Sequence, residues 1–232
     1  MQEKSLTDIF TEQSLPHYVS EYLTHWTGKN KSDEAGFLNL KSIVESQTLL
    51  LSYCPHFFTN ESIEANIRMV CFTDIPHNLS ENHCLEYGRF GIVFNKSRLK
   101  KHGANPVLYL TNENKHIATE VYKFICKLSK NGQEESITSS LKSFFGYVQD
   151  CTSFESNKDL YYEREWRILE NSLELEQNKE IYPGKKKKIE DEYFFQFAKD
   201  DIEFIVCPNG YVHRIAKFFQ NKIIVYENYI SN

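Results

Sequence analysis

At 232 residues the chain is long enough for one large domain with a sizeable core, and 41% apolar with 25% charged residues describes a folded protein. A net charge of -5 argues against a protein that coats duplex nucleic acid, whose affinity would come from a phosphate-neutralising surface. There is no apolar run of about 18 residues or more, so no membrane span is expected. The N-terminus has no basic start leading into an apolar run and cleavage site, so the expected location is cytoplasmic.

In chain order, residues 5–23 carry helical spacing with a break near Pro16. The segment Thr24-His25-Trp26-Thr27-Gly28 embeds a polar His-x-Thr between aromatics. A loop follows, then an amphipathic helix at 35–46 with Phe37, Leu40, Ile43 and Val44 on one stripe. The run at 48–53 reads as a buried strand, 60–66 as a short helix or loop, and 68–75 as a strand that stops at Pro76. A short helix at 79–87, a turn at 87–91, a strand at 92–94, a basic helix and a strand at 106–110 come next.

Helical periodicity over 113–130 (Ile117, Val121, Phe124, Ile125, Leu128) and 134–149 (Ile137, Leu141, Phe144, Phe145, Val148) predicts an inserted helical pair, spanning about 112–150 with its flanks. Lys185 to Lys188 read as a solvated turn. Strands at 193–198 and 202–207, a helix at 209–219 and a strand at 222–227 close the chain. Short strands with irregularly interspersed helices predict a single α+β domain with mixed or antiparallel sheets and flanking helices. The six cysteines are scattered, with no Cys-x-x-Cys, and read as reduced thiols. His77, His83 and Cys84 form only a loose grouping, so no metal is expected.

The stretch Tyr161-Tyr162-Glu163-Arg164-Glu165-Trp166-Arg167-Ile168-Leu169 organises the functional reading. As a continuous strand it would place Trp166 and Ile168 on one face, and Glu163, Glu165 and Arg167 on the other. Carboxylates two residues apart on a strand sit roughly 7 Å apart, close enough to address one ligand. The bland alternative is an amphipathic strand whose Glu and Arg pair with neighbours.

Three stretches in order, LTHWTG at 23–28, CFTDIP through YGRFGIVF with NPVLY at 71–109, and YEREWRI at 162–168, resemble the AbiGi family of abortive-infection phage-resistance proteins. Those proteins carry an antitoxin label in a two-gene system, which implies a cognate toxin or antitoxin partner. The early His-x-Thr, the aromatic and Thr middle strand and the late Glu-x-Glu are also similar to the layout of ADP-ribosyltransferases. That second resemblance implies an ADP-ribosyltransferase-like fold and NAD as substrate. It implies Glu165 as catalytic carboxylate, with His25 and Thr27 on the ribose or adenosine side and Thr73 at the middle-strand polar position. Tyr87 or Phe90 would stack on nicotinamide, Arg68 or Arg89 would receive the pyrophosphate, and Glu163 or Arg167 would deal with the acceptor. A fixed carboxylate on the ribose 2′-hydroxyl would stabilise the oxocarbenium-like transition state.

Two main readings follow, with a third behind them. One is a defence effector that transfers ADP-ribose to a protein, nucleotide or nucleic acid, or hydrolyses NAD. The other is a non-catalytic antitoxin or sensor that binds a partner toxin or phage component. The third is a metal-dependent nuclease built from Asp74, His77, Glu163 and Glu165. The first two differ in geometry: a catalyst needs Glu165 and His25 converging on an open pocket, whereas a binding module can leave them salt-bridged or buried.

Overall fold

Short runs rich in aromatic and β-branched residues form the frame, each too short to span more than one sheet layer. The computed structural model describes residues 20–53, 67–111, 113–130, 135–152, 159–173, 185–189 and 192–225. Its strands are β1 (Tyr22–Thr27), β2 (Thr48–Leu50), β3 (Ser52–Tyr53), β4 (Arg68–Thr73), β5 (Phe90–Asn95), β6 (Asn105–Pro106) and β7 (Leu108–Leu110). They continue with β8 (Val148–Asp150), β9 (Glu165–Leu169), β10 (Lys185–Ile189), β11 (Glu192–Gln196), β12 (Ile202–Cys207) and β13 (Lys222–Val225). The helices are α1 (Asp33–Ser46), α2 (Glu81–Tyr87), α3 (Lys96–Lys101), α4 (Lys115–Lys130), α5 (Glu135–Phe144) and α6 (Val212–Ile215).

Eight strands make the main sheet in the order β13-β12-β5-β1-β4-β9-β6, with β3 pairing beside β4. Its pairs are antiparallel except β12 with β13, so the sheet is mixed and the α+β expectation holds at that level. A second sheet runs β10-β11-β2. In the third, β7 pairs β8 in parallel, and parallel neighbours need a long crossover. The helical pair α4 and α5, predicted from periodicity, lies in the sequence between these two strands and supplies it; the second helix, expected to run to 149, ends at Phe144, and Val148, counted in its stripe, belongs to β8.

Both faces of the main sheet are covered. On one, Leu23, Phe37, Leu40, Val44, Phe72, Ile92, Phe94, Ile168 and Ile205 form the largest core. Helix α1 packs here: Ser32 caps it by accepting from the Ala35 amide (3.3 Å), Asp33 and Glu34 occupy its first turn, and Phe37, Leu40 and Val44 are buried. The opposite face holds two separate clusters. Trp26, Cys84, Val93, Phe204 and Val206 form one, and Met69, Tyr122, Ile125, Phe145, Val148 and Leu169 the other.

Several expectations are corrected. The run at 48–53 is two strands in different sheets, because the chain leaves the small sheet at Leu51 and joins β4 at Ser52. The run at 106–110 is likewise shared between β6 and β7 in two sheets. Lys185 to Lys188 are strand residues paired with β11, and the helix expected at 209–219 is the single turn α6 behind a 3₁₀ turn. Tyr22 and Leu23, expected at the end of a helix, belong to β1; residues 5–19 and 60–66 lie outside the described residues. The five described cysteines form no disulfide among the described residues, and burial pushes the Cys207 thiol up to about 11.

Candidate functional site

The Glu-x-Glu stretch is not one continuous strand. Tyr161–Glu163 form a 3₁₀ turn, Arg164 takes a left-handed conformation (φ 48°, ψ 50°), and β9 begins only at Glu165. A non-glycine residue there costs on the order of 1 kcal/mol, so something must hold it. Asp74 does: its amide donates to the Arg164 carbonyl (3.3 Å), and its carboxylate lies 2.7 Å from Arg164 Nε and 3.3 Å from Lys96 Nζ. Lys96 also sits 5.2 Å over the Trp166 ring. Asp74, expected only as a nuclease ligand, is thus the anchor of the turn.

The kink separates the two carboxylates. Glu163 accepts the Tyr87 hydroxyl (2.6 Å), and its carbonyl accepts the Thr73 hydroxyl (2.7 Å). Tyr162 donates to Glu86 (2.9 Å), so the 3₁₀ turn is tied twice to α2. Burial, then the bond to Glu163, pushes the Tyr87 phenol well above its ordinary value and keeps it a donor. Gly88 ends α2 at φ 109°, and a Cβ there would stand 2.3 Å from the Thr27 carbonyl oxygen. That close approach fixes α2 against the end of β1.

Glu165 and Arg167 share a face of β9, as the period of two requires, and they bind each other. Arg167 Nε donates to Glu165 Oε1 (2.9 Å) and Nη2 to Oε2 (2.7 Å), a bidentate fork. The Arg167 side chain is 1% exposed. Its remaining donors reach the Gly146 carbonyl (2.7 Å) and Gln149 Oε1 (2.9 Å). The Glu165 amide donates to the Tyr109 hydroxyl (2.9 Å), and burial raises the Tyr109 phenol above its ordinary value. Tyr109, Gly146 and Gln149 had no assigned role in the sequence. Tyr109 ends the NPVLY stretch of the AbiGi resemblance, the one signal that marked it.

His25 lies elsewhere. Strand β1 pairs β4 in the ladder at Thr24 opposite Thr73. Beside that pair, His25 Nδ1 lies 3.0 Å from the Cys71 carbonyl, its ring edge-on to Phe72 at 5.9 Å. A carbonyl can only accept, so Nδ1 carries the proton, and burial holds the imidazole below its ordinary pKa. Residues paired across an antiparallel ladder point to the same face. Thr24 pairs Thr73, and Thr73 pairs Glu165, so these three share one face; His25, next to Thr24, takes the other with Phe72. The structure therefore does not bring His25 and Glu165 together.

The other expected residues are dispersed. Thr27 is buried at the end of β1, and Phe90 is buried with its ring edge-on to Tyr211 at 5.2 Å. Arg68 stacks between Tyr53 (4.5 Å) and Tyr193 (4.4 Å), and Arg89 pairs with Asp33 (2.6 Å). Among the described residues no three His, Cys, Asp or Glu side chains are grouped to hold a metal ion; His77 packs on Phe204 at 5.4 Å. A cavity of about 230 Å³ opens where Gly28, Lys31, Ser32, Gly88, Arg89 and Phe90 meet. It is smaller than the roughly 300–1,000 Å³ of ordinary small-molecule sites, and neither Glu163, Glu165 nor His25 lines it. Among the described residues no helix is long and apolar enough to cross a membrane.

No curated protein and no solved structure matches the chain, so the ADP-ribosyltransferase likeness of the motifs finds no counterpart there. A family model described as "Putative abortive phage resistance protein AbiGi, antitoxin" matches residues 47–208. That span takes in the Cys71 strand, Tyr109 and the whole Glu-x-Glu-Trp-Arg turn, and leaves out the His-x-Thr of β1. With well over half of its length matched, the chain belongs to the AbiGi family of abortive phage resistance proteins, which carries an antitoxin description.

Proposed function

We propose that the protein acts in the cytoplasm as the non-catalytic antitoxin of an abortive-infection pair, binding and restraining a cognate toxin. One observation carries this reading: both Glu165 carboxylate oxygens are occupied by the buried Arg167, on the sheet face opposite His25. A carboxylate held in a bidentate fork by a buried guanidinium has one acceptor site on each oxygen taken and its charge already paired, and opening the fork would strand a buried charge. The antitoxin description of the family supports the same reading.

The test is NAD turnover by the purified protein, wild type beside Glu165→Gln, with and without a cell lysate that supplies acceptors. The expected result is no nicotinamide release from either protein, together with rescue of growth when the chain is co-expressed with the toxin encoded beside it. Nicotinamide release that disappears in Glu165→Gln overturns the reading and restores the NAD-dependent transferase or glycohydrolase.

A further inference from the structure

Helix α4 carries more apolar surface than the core uses. Tyr122 and Ile125 are buried against Phe145, Val148 and Leu169, which fixes the helix on the sheet. A second row runs beside them: Ile117, Val121 and Phe124, at i, i+4 and i+7, are 55%, 46% and 60% exposed. On the packed neighbour α5, Leu141 and Phe144 are 41% and 54% exposed. Single exposed apolar residues are ordinary, but a row at helical spacing on a helix anchored to the core is the pattern of a docking surface.

The edge of the row states the chemistry of its occupant. At 100° per residue, Glu120, Lys127, His116 and Lys123 follow in turn along one side of the Ile117–Val121–Phe124 row. Glu120 is engaged by Lys123 (3.3 Å), so Lys127 leaves this edge net positive in a chain whose net charge is -5. A second copy laid antiparallel across the row would set one basic edge against the other, which disfavours self-pairing. We infer that the exposed row of α4, with Leu141 and Phe144 of α5, is the surface that docks the cognate toxin. The toxin would supply an amphipathic helix whose apolar stripe is flanked by Asp or Glu. This rests on the antitoxin reading and names the surface that performs it.

The experiment titrates the purified toxin encoded beside this gene into the full-length chain by calorimetry. Wild type is compared with the double variant Val121→Ser/Phe124→Ser and with Lys127→Glu, all at exposed positions, with circular dichroism confirming that each is folded. The double variant should weaken binding roughly 30- to 1,000-fold, the loss expected for removal of an apolar anchor. Lys127→Glu should weaken it roughly 5- to 10-fold at low salt, and less at high salt. If wild type binds and the double variant binds within about twofold of it, the docking surface lies elsewhere; the inference falls while the antitoxin reading stands. If wild type does not bind the toxin at all, the antitoxin reading fails first and takes the inference with it. If sedimentation shows a wild-type dimer that the double variant dissolves, the row pairs two copies of this chain and the inference is overturned.

Discussion

Glu165→Gln separates a structural carboxylate from a catalytic one. In the folded protein the Glu165 side chain is 13% exposed and the Arg167 side chain 1%. Removing one member of such a pair strands the other, at a cost of about 3–5 kcal/mol for a fully buried ion pair. Here the cost should be lower. Arg167 keeps the Gly146 carbonyl and Gln149 Oε1, and the glutamine oxygen still accepts one of the two fork bonds. We expect about 2–4 kcal/mol, which for a chain of this size lowers Tm by about 5–15 °C. Urea unfolding followed by tryptophan fluorescence reads it directly, because one of the two tryptophans, Trp166, is the next residue. Replacing both partners by Met should recover much of the loss, since a neutral pair leaves no buried charge behind. A Glu165→Gln midpoint within about 0.5 kcal/mol of wild type would refute the reasoning, because it would mean that Arg167 does not depend on Glu165.

Two further outcomes follow from the same geometry. His25 is held below its ordinary pKa by burial, with the bond to Cys71 acting the other way, and burial followed by the Lys222 charge lowers His77. The unfolded chain then binds more protons than the folded one, so this contribution is complete above the unfolded histidine pKa of about 6.5 and is lost as pH falls below it and through the lowered folded pKa. Stability measured between about pH 7.5 and 5.5 should fall with acid and flatten in His25→Gln; an unchanged slope in that variant would show that His25 is not the group involved. Gly88→Ala should destabilise by about 2–4 kcal/mol in a thermal melt, since φ 109° disfavours any side chain and the new Cβ would meet the Thr27 carbonyl at 2.3 Å.

The parts of this fold that sequence reveals are those set by local period. The stripe of α1 repeats at the spacing that its burial demands, the helical pair carries a helical period, and β12 is an apolar run buried almost throughout, so these elements were legible. The period of α4 did not tell which face is buried, since Ile125 is buried while Ile117, Val121 and Phe124 are exposed. The parts that were not legible depend on which segments meet. Nothing in Ser52 or Tyr53 says that they leave one sheet for another, and four lysines look like a turn until β11 is placed beside them. The site divides the same way. The sequence put Glu165 and Arg167 on one face, and the structure agrees. What it left open is whether residues two apart on one face address a ligand or pair with each other, and the structure has Glu165 closed on Arg167. Arg164 gave no warning at all: no glycine or asparagine marks its left-handed turn, because the anchor is Asp74, 90 residues earlier.

The position of the closed pair explains why a charged fork is built into the sheet. Arg167 does not only hold Glu165. Two further acceptors of its donors, Gly146 and Gln149, belong to the segment where the chain returns from α5 into β8. A Cβ at Gly146 would come within 2.7 Å of the Leu169 side chain, so this segment lies directly on β9. Tyr109 closes the same junction from the other side: it stands in β7 and receives the Glu165 amide. Both ends of the helical excursion are therefore fastened to one pair of residues in β9. An apolar contact would hold those ends together but leave them free to slide. A guanidinium with directional bonds to a carboxylate, a carbonyl and an amide oxygen fixes both distance and orientation. Glu165, which the ADP-ribosyltransferase resemblance implies as a catalytic carboxylate, thus joins Arg167 in tying both ends of the helical excursion to β9.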